Sequence, residues 1–145
     1  MNTDTIQNIE NEIIDEFSVF DEWMDKYEYI IEIGKELPQL DEKYKTEDKK
    51  VAGCQSQVWL NTNYKDGKVI FEADSDAIIT KGLIGLLIKV LSNQTPGDII
   101  NAKLEFIDKI GMKEHLSMNR ANGLTAMIKR MKSDAGNFLN KTSLN

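Results

Sequence analysis

The sequence predicts an α+β fold in which a small antiparallel sheet, the hairpin 55–64/68–74, packs against several α-helices. Three observations carry this. Two alternating runs flank Asp66-Gly67, a strong tight-turn signal. Apolar residues recur at helical spacing on both sides of that hairpin. The 145 residues, 41% hydrophobic and 29% charged, suit one domain over 1–145 with a core of its own.

Ile6, Ile9, Ile13 and Phe17 form an apolar stripe with acids between them, which predicts an amphipathic helix over 4–18. Asp21 is a candidate cap for a second helix running to about Leu37 and closed by Pro38. Trp23, Tyr27, Ile30, Ile31 and Gly34 share one of its faces, and that spacing reads as core. The charged run 41–50 reads as an exposed, mobile connection. In the hairpin, Val58, Leu60 and Tyr64 face one way, as do Val69, Phe71 and Ala73. Ser75 or Asp76 is then positioned to cap a helix over 77–92, the most apolar in the chain. Gly82 and Gly85 each cost it about 1 kcal/mol of propensity, which close approach of another backbone would explain. Thr95-Pro96-Gly97-Asp98 is a helix start, with a short helix after it and another near 104–110. Ser117 opens the last helix, whose stripe is Leu124, Met127, Ile128 and Met131. Beyond Asn137 the tail is polar and expected to fray.

The net charge of -6 argues against nucleic acid, because an acidic chain repels phosphate backbones. No apolar run is long enough to span a membrane. The first twenty residues show neither the basic nor the apolar region of a secretory signal, so the expected location is cytoplasmic.

Cys54 is the only cysteine. Alone it forms no internal disulfide and holds neither an iron–sulfur cluster nor a structural zinc. A lone cysteine is commonly a small buried hydrophobe. This one lies between a charged segment and the first strand, next to Gly53, which permits unusual backbone angles and removes side-chain bulk. That placement leaves a reactive thiol and a packed one equally open. A cysteine hydrolase would need a histidine, and the single candidate is His115, which nothing in the sequence brings to Cys54. Sulfur transfer asks for less. A persulfide donor is already activated, and one acceptor thiol placed by docking suffices.

The segment Gly53-Cys54-Gln55-Ser56-Gln57-Val58-Trp59 resembles the active-site signature of the SufE family. Further blocks resemble it in the same order: Trp23 with Tyr27 to Gly34 and Leu37-Pro38; Asp74-Ser75-Asp76-Ala77 leading to Lys81-Gly82-Leu83-Ile84; Thr95-Pro96; and His115-Leu116 through Arg120 to Gly123-Leu124 and Ala126-Met127-Ile128. Together they span about residues 20–131. The resemblance implies a fold shared with IscU-type scaffolds, without their metal-binding cysteine set. It implies that Cys54 accepts sulfane sulfur as a persulfide from a SufS-type cysteine desulfurase, stimulates that enzyme, and passes sulfur to the SufBCD scaffold. Pyridoxal phosphate would belong to the desulfurase, and this chain would need no cofactor or metal. It implies a resting loop that tucks the thiol against an apolar cavity, with Gly53 as hinge. Gln55, Ser56 and Gln57 would bond the loop or face the partner. Asp74 would lie near the loop, and Arg120 near the partner interface. Residues 41–50 and those after Met131 depart from the family pattern. Gln55-Ser56-Gln57 favours SufE over the related CsdE proteins. A non-catalytic module that only activates a desulfurase is the alternative, with a cysteine hydrolase behind it, and a homodimer stays open.

Overall fold

The computed structural model describes residues 5–143, so Asp4, the first residue of the expected N-terminal helix, lies outside them. In chain order come α1 (Ile6–Ser18), α2 (Trp23–Lys35), β1 (Val58–Lys65), β2 (Lys68–Ser75), α3 (Ile78–Leu91), α4 (Pro96–Asn101), α5 (Phe106–Lys109), α6 (Met112–His115) and α7 (Met118–Ser143). The expected α+β architecture is present: a two-stranded antiparallel sheet with helices from both ends of the chain around it.

The hairpin turns where expected. Asp66 and Gly67 both take positive φ, 54° and 82°, the conformation a two-residue turn needs to match strand twist. Register runs from Lys65 opposite Lys68 to Val58 opposite Ser75. Val58, Leu60, Val69, Phe71 and Ala73 are buried. The strand starts at Val58, not Gln55; just before it, Gln57 is bonded to Ser75 and Asp76.

α3 is buried almost all round, packed against α1, α2, α7 and β2. Its glycines confirm the expected close approach. A Cβ on Gly82 would land on the carbonyl oxygen of Ile30, and one on Gly34 would sit 2.7 Å from the Gly82 nitrogen. The α2 and α3 backbones therefore meet where neither helix carries a side chain.

Further expectations are corrected. Asp21 caps nothing; Glu22 occupies the cap position of α2 without a side-chain bond. The chain before it is held by Phe20, which packs on Phe17 and Tyr29. Neither Ser75 nor Asp76 caps α3, whose cap residue is Ala77, because both side chains are bonded to Gln57. The charged run 41–50 is anchored: it forms two short 3-10 turns, and Lys45, Asp48 and Lys50 are tied to β2 and α7. The cap signals at Thr95 and Ser117 hold, with Asp98 N donating to Thr95 Oγ1 and Arg120 N to Ser117 Oγ. The tail expected to fray beyond Asn137 is helical instead: α7 continues to Ser143, and Phe138 stacks on Tyr64.

Candidate functional site

Cys54 stands on a short loop between residue 51 and β1, at the edge of a cavity of about 400 Å³. Ile79, Leu83 and Met127 form its apolar wall; Thr80, Asn119 and Arg120 line its polar side. The cavity is thus mixed in character, where the resemblance implied an apolar one. Gln55 and Ser56 line it too, whereas Gln57 does not.

The loop adopts this pose for local reasons. Gly53 has φ +92°, a left-handed conformation that L side chains rarely take, and a Cβ there would lie 3.2 Å from Ala126 Cβ. The Cys54 thiol donates a weak hydrogen bond to Gly123 O at 3.6 Å. Gly123 is buried on α7, and a Cβ on it would lie 3.7 Å from the sulfur. Its bare backbone lets the thiol approach the helix.

Both roots of the loop are bonded. At the C-terminal root, Gln57 N donates to Asp76 Oδ1 at 3.0 Å and Gln57 Nε2 to Asp76 Oδ2 at 3.3 Å. Ser75 Oγ donates to Gln57 O at 2.8 Å. At the N-terminal root, Val51 N donates to Val58 O at 2.8 Å. Gln57 is therefore a tether of the loop, and Asp76 and Ser75 are its partners, a role their expected capping duty concealed.

Cys54 is half-buried, and burial pushes its thiol above the ordinary value because the low-polarity surroundings disfavour the thiolate. Arg120 is the one charged side chain lining the cavity among the described residues; its guanidinium lies over the Tyr27 ring at 5.6 Å. His115 does not line it. Its imidazole is exposed and stacks on Trp23 with centroids 4.6 Å apart, so no cysteine–histidine pair forms. Among the described residues, no three His, Cys, Asp or Glu side chains converge as a metal site.

Asp74 does not line the cavity either. Its buried carboxylate accepts from Lys45 Nζ at 3.1 Å, Lys81 Nζ at 3.2 Å and Ser75 N at 2.8 Å. It joins β2 to the segment before the loop and to α3. Burial alone would raise its carboxyl; the bonds from Lys45, Ser75 and Lys81, with the charge of Lys81, outweigh that and hold it below the usual carboxylate range. A group depressed on folding adds stability above its unfolded value of about 3.9, lost as pH falls through the folded value. Asp74→Asn is expected to cost about 1–3 kcal/mol at neutral pH, between the limits for exposed and buried pairs. In urea titrations at stepped pH, the two curves should converge in acid. A constant offset down to the acid limit would show that the carboxylate charge is not what matters.

The geometry defines a small α+β protein with a single half-shielded thiol on a doubly tethered loop. The family model "SufE: Fe-S metabolism associated domain" matches residues 11–135, and the chain belongs to the SufE family. It is 45% identical over 130 residues to an uncharacterized SufE-like protein of Rhizobium meliloti (strain 1021), covering 86% of this chain and 93% of the relative. It is 40% identical over 125 residues to the SufE-like protein 1, chloroplastic/mitochondrial, of Arabidopsis thaliana, covering 86% of this chain and 34% of that longer protein. In fold it is similar to the solution structure of a hypothetical protein from Thermus thermophilus, with TM-score 0.76, 19% identity, and 91% and 96% of the two chains covered. No helix among the described residues is long and apolar enough to cross a membrane.

Proposed function

We propose that this protein carries sulfur: Cys54 accepts a sulfane sulfur from a SufS-type cysteine desulfurase and passes it to a SufBCD-type scaffold. The observation behind this reading is the half-shielded Cys54 thiol beside a cavity, with no histidine to activate it. In the transfer, the Cys54 thiolate attacks the outer sulfur of the donor persulfide. The donor's S–S bond breaks, its cysteine leaves as thiolate, and the new S–S bond makes Cys54 a persulfide. No external oxidant, metal or cofactor of this chain enters the balance; pyridoxal phosphate works in the desulfurase.

Thiolate supply favours a mobile step. An ordinary cysteine is only about 3% ionised at pH 7, and burial lowers that fraction for Cys54. Swinging the loop outward about Gly53 on docking would restore an ordinary thiol, and Arg120, which lines the same cavity, would favour the anion or meet the partner. Gln55 and Ser56, exposed or partly so, would travel with it. Asp74 acts at a distance, by holding the segment before the loop.

Desulfurase turnover, measured with and without this protein, tests the reading. The wild-type chain should stimulate turnover, and His115→Ala should stimulate it equally. A crippled His115→Ala variant, with its fold intact, would favour hydrolase-type chemistry instead.

A further inference from the structure

One face of α7 meets the Cys54 loop along its length. Gly123 O receives the Cys54 thiol, Ala126 sits against Gly53, and Arg130 holds the segment before the loop. Positions 123, 126 and 130 are spaced i, i+3, i+7 and so share that face. Arg130 Nη1 donates to Lys50 O at 2.9 Å and Nη2 to Asp48 O at 3.0 Å. Its Nε donates to Asp134 Oδ1 at 3.1 Å, and Asp134 Oδ2 accepts from Thr62 Oγ1 at 2.7 Å. The guanidinium therefore uses all three of its nitrogens, two on the loop's N-terminal root and one on a carboxylate that is itself fixed to β1.

We propose that Arg130 is a positioning residue for Cys54: it latches the loop root onto α7 so that the thiol rests against Gly123, inside the cavity edge. The planar fork suits this task, since it reaches two carbonyls two residues apart while a third donor anchors it. A lysine offers one compact ammonium and cannot span both carbonyls and the carboxylate together. The latch acts on the root and the Asp76–Gln57 tether on the other end, which leaves 52–56 as the segment free to swing. The proposal deepens the sulfur-carrier reading and rests on it for its purpose.

The test reads the thiol directly. Iodoacetamide alkylation of Cys54 is followed by mass spectrometry across a pH series, without desulfurase, in wild type, Arg130→Lys and Arg130→Ala. Unlatching should speed alkylation in the order wild type, Lys, Ala, with about a tenfold gain for Ala, the order of one lost charge-assisted bond. The pH midpoint should fall toward that of ordinary cysteine as the sulfur leaves its shielded position. Lys keeps the stem and charge, so it decides the matter should Ala fail to fold. Folded variants that keep the wild-type rate and midpoint would overturn the latch. Because no sulfur donor is present, that result would leave the sulfur-carrier reading to its own experiment.

Discussion

Cys54→Ser is expected to take up no sulfur from a loaded desulfurase and to lose its stimulation of that enzyme. A serine hydroxyl is close to a thiol in shape but remains protonated at neutral pH and does not attack sulfane sulfur. The substitution removes chemistry with little loss of packing. Cys54 is half-buried and its bond to Gly123 O, at 3.6 Å, is weak, so stability should change by less than about 1 kcal/mol. Circular dichroism and thermal melting check that the fold persists. Stimulation that survives in the serine variant, with no persulfide formed, would move the protein to the class of desulfurase-activating binding modules. Losing both effects in a folded variant ties stimulation to sulfur acceptance.

The second large effect concerns the fold. Gly82→Ala should gain about 1 kcal/mol of helix propensity, yet destabilise the protein overall. The added methyl would collide with the Ile30 carbonyl oxygen and lie 2.7 Å from Ile30 Cγ2. Backbone atoms of α2 and α3 must separate at their buried contact to admit it, which costs about 1–3 kcal/mol or more. The steric cost wins because the obstacle is main chain, not the end of a flexible side chain. Urea denaturation should show a lower midpoint with an unchanged slope. An alanine variant as stable as the wild type would mean that α2 and α3 do not approach as closely as described. Since α3 supplies Ile79, Thr80 and Leu83 to the cavity, a shifted α3 should also alter the surroundings of Cys54.

Much of this architecture is legible in the amino-acid order because it is local. The Asp66-Gly67 turn, the Ile6-to-Phe17 stripe and the Thr95-Pro96 helix start each depend on neighbours within a few residues. The close helix crossing is legible from Gly82 as a site lacking a side chain, although its partner Ile30 is not. What escapes is long-range pairing of polar groups. Asp21, Ser75 and Asp76 all have the composition of helix caps. Only the folded chain shows that Ser75 and Asp76 hold Gln57 instead. The segment 41–50 reads as mobile because its charges look solvated. Lys45 finds Asp74 across 29 positions of sequence, and Arg130 reaches Lys50 across 80, spacings no periodicity reveals. At the site, Cys54 and Gly53 stand out by type and neighbourhood, as does Arg120 through the family resemblance, and the structure places Cys54 and Arg120 on one cavity. It does not bring Asp74 or His115 there. Gly123 carried a signal, a glycine inside a helix, but its meaning needed the sulfur 3.7 Å from where a Cβ would be.

Intact-mass and peptide mass spectrometry after incubation with a SufS-type desulfurase and free cysteine put the central claim to its most direct trial. The expected spectrum shows a gain of one sulfur atom, located on the peptide containing Cys54 and removed by a reducing thiol. An unmodified Cys54 peptide, from a folded protein beside a desulfurase that demonstrably carries its own persulfide, would contradict it.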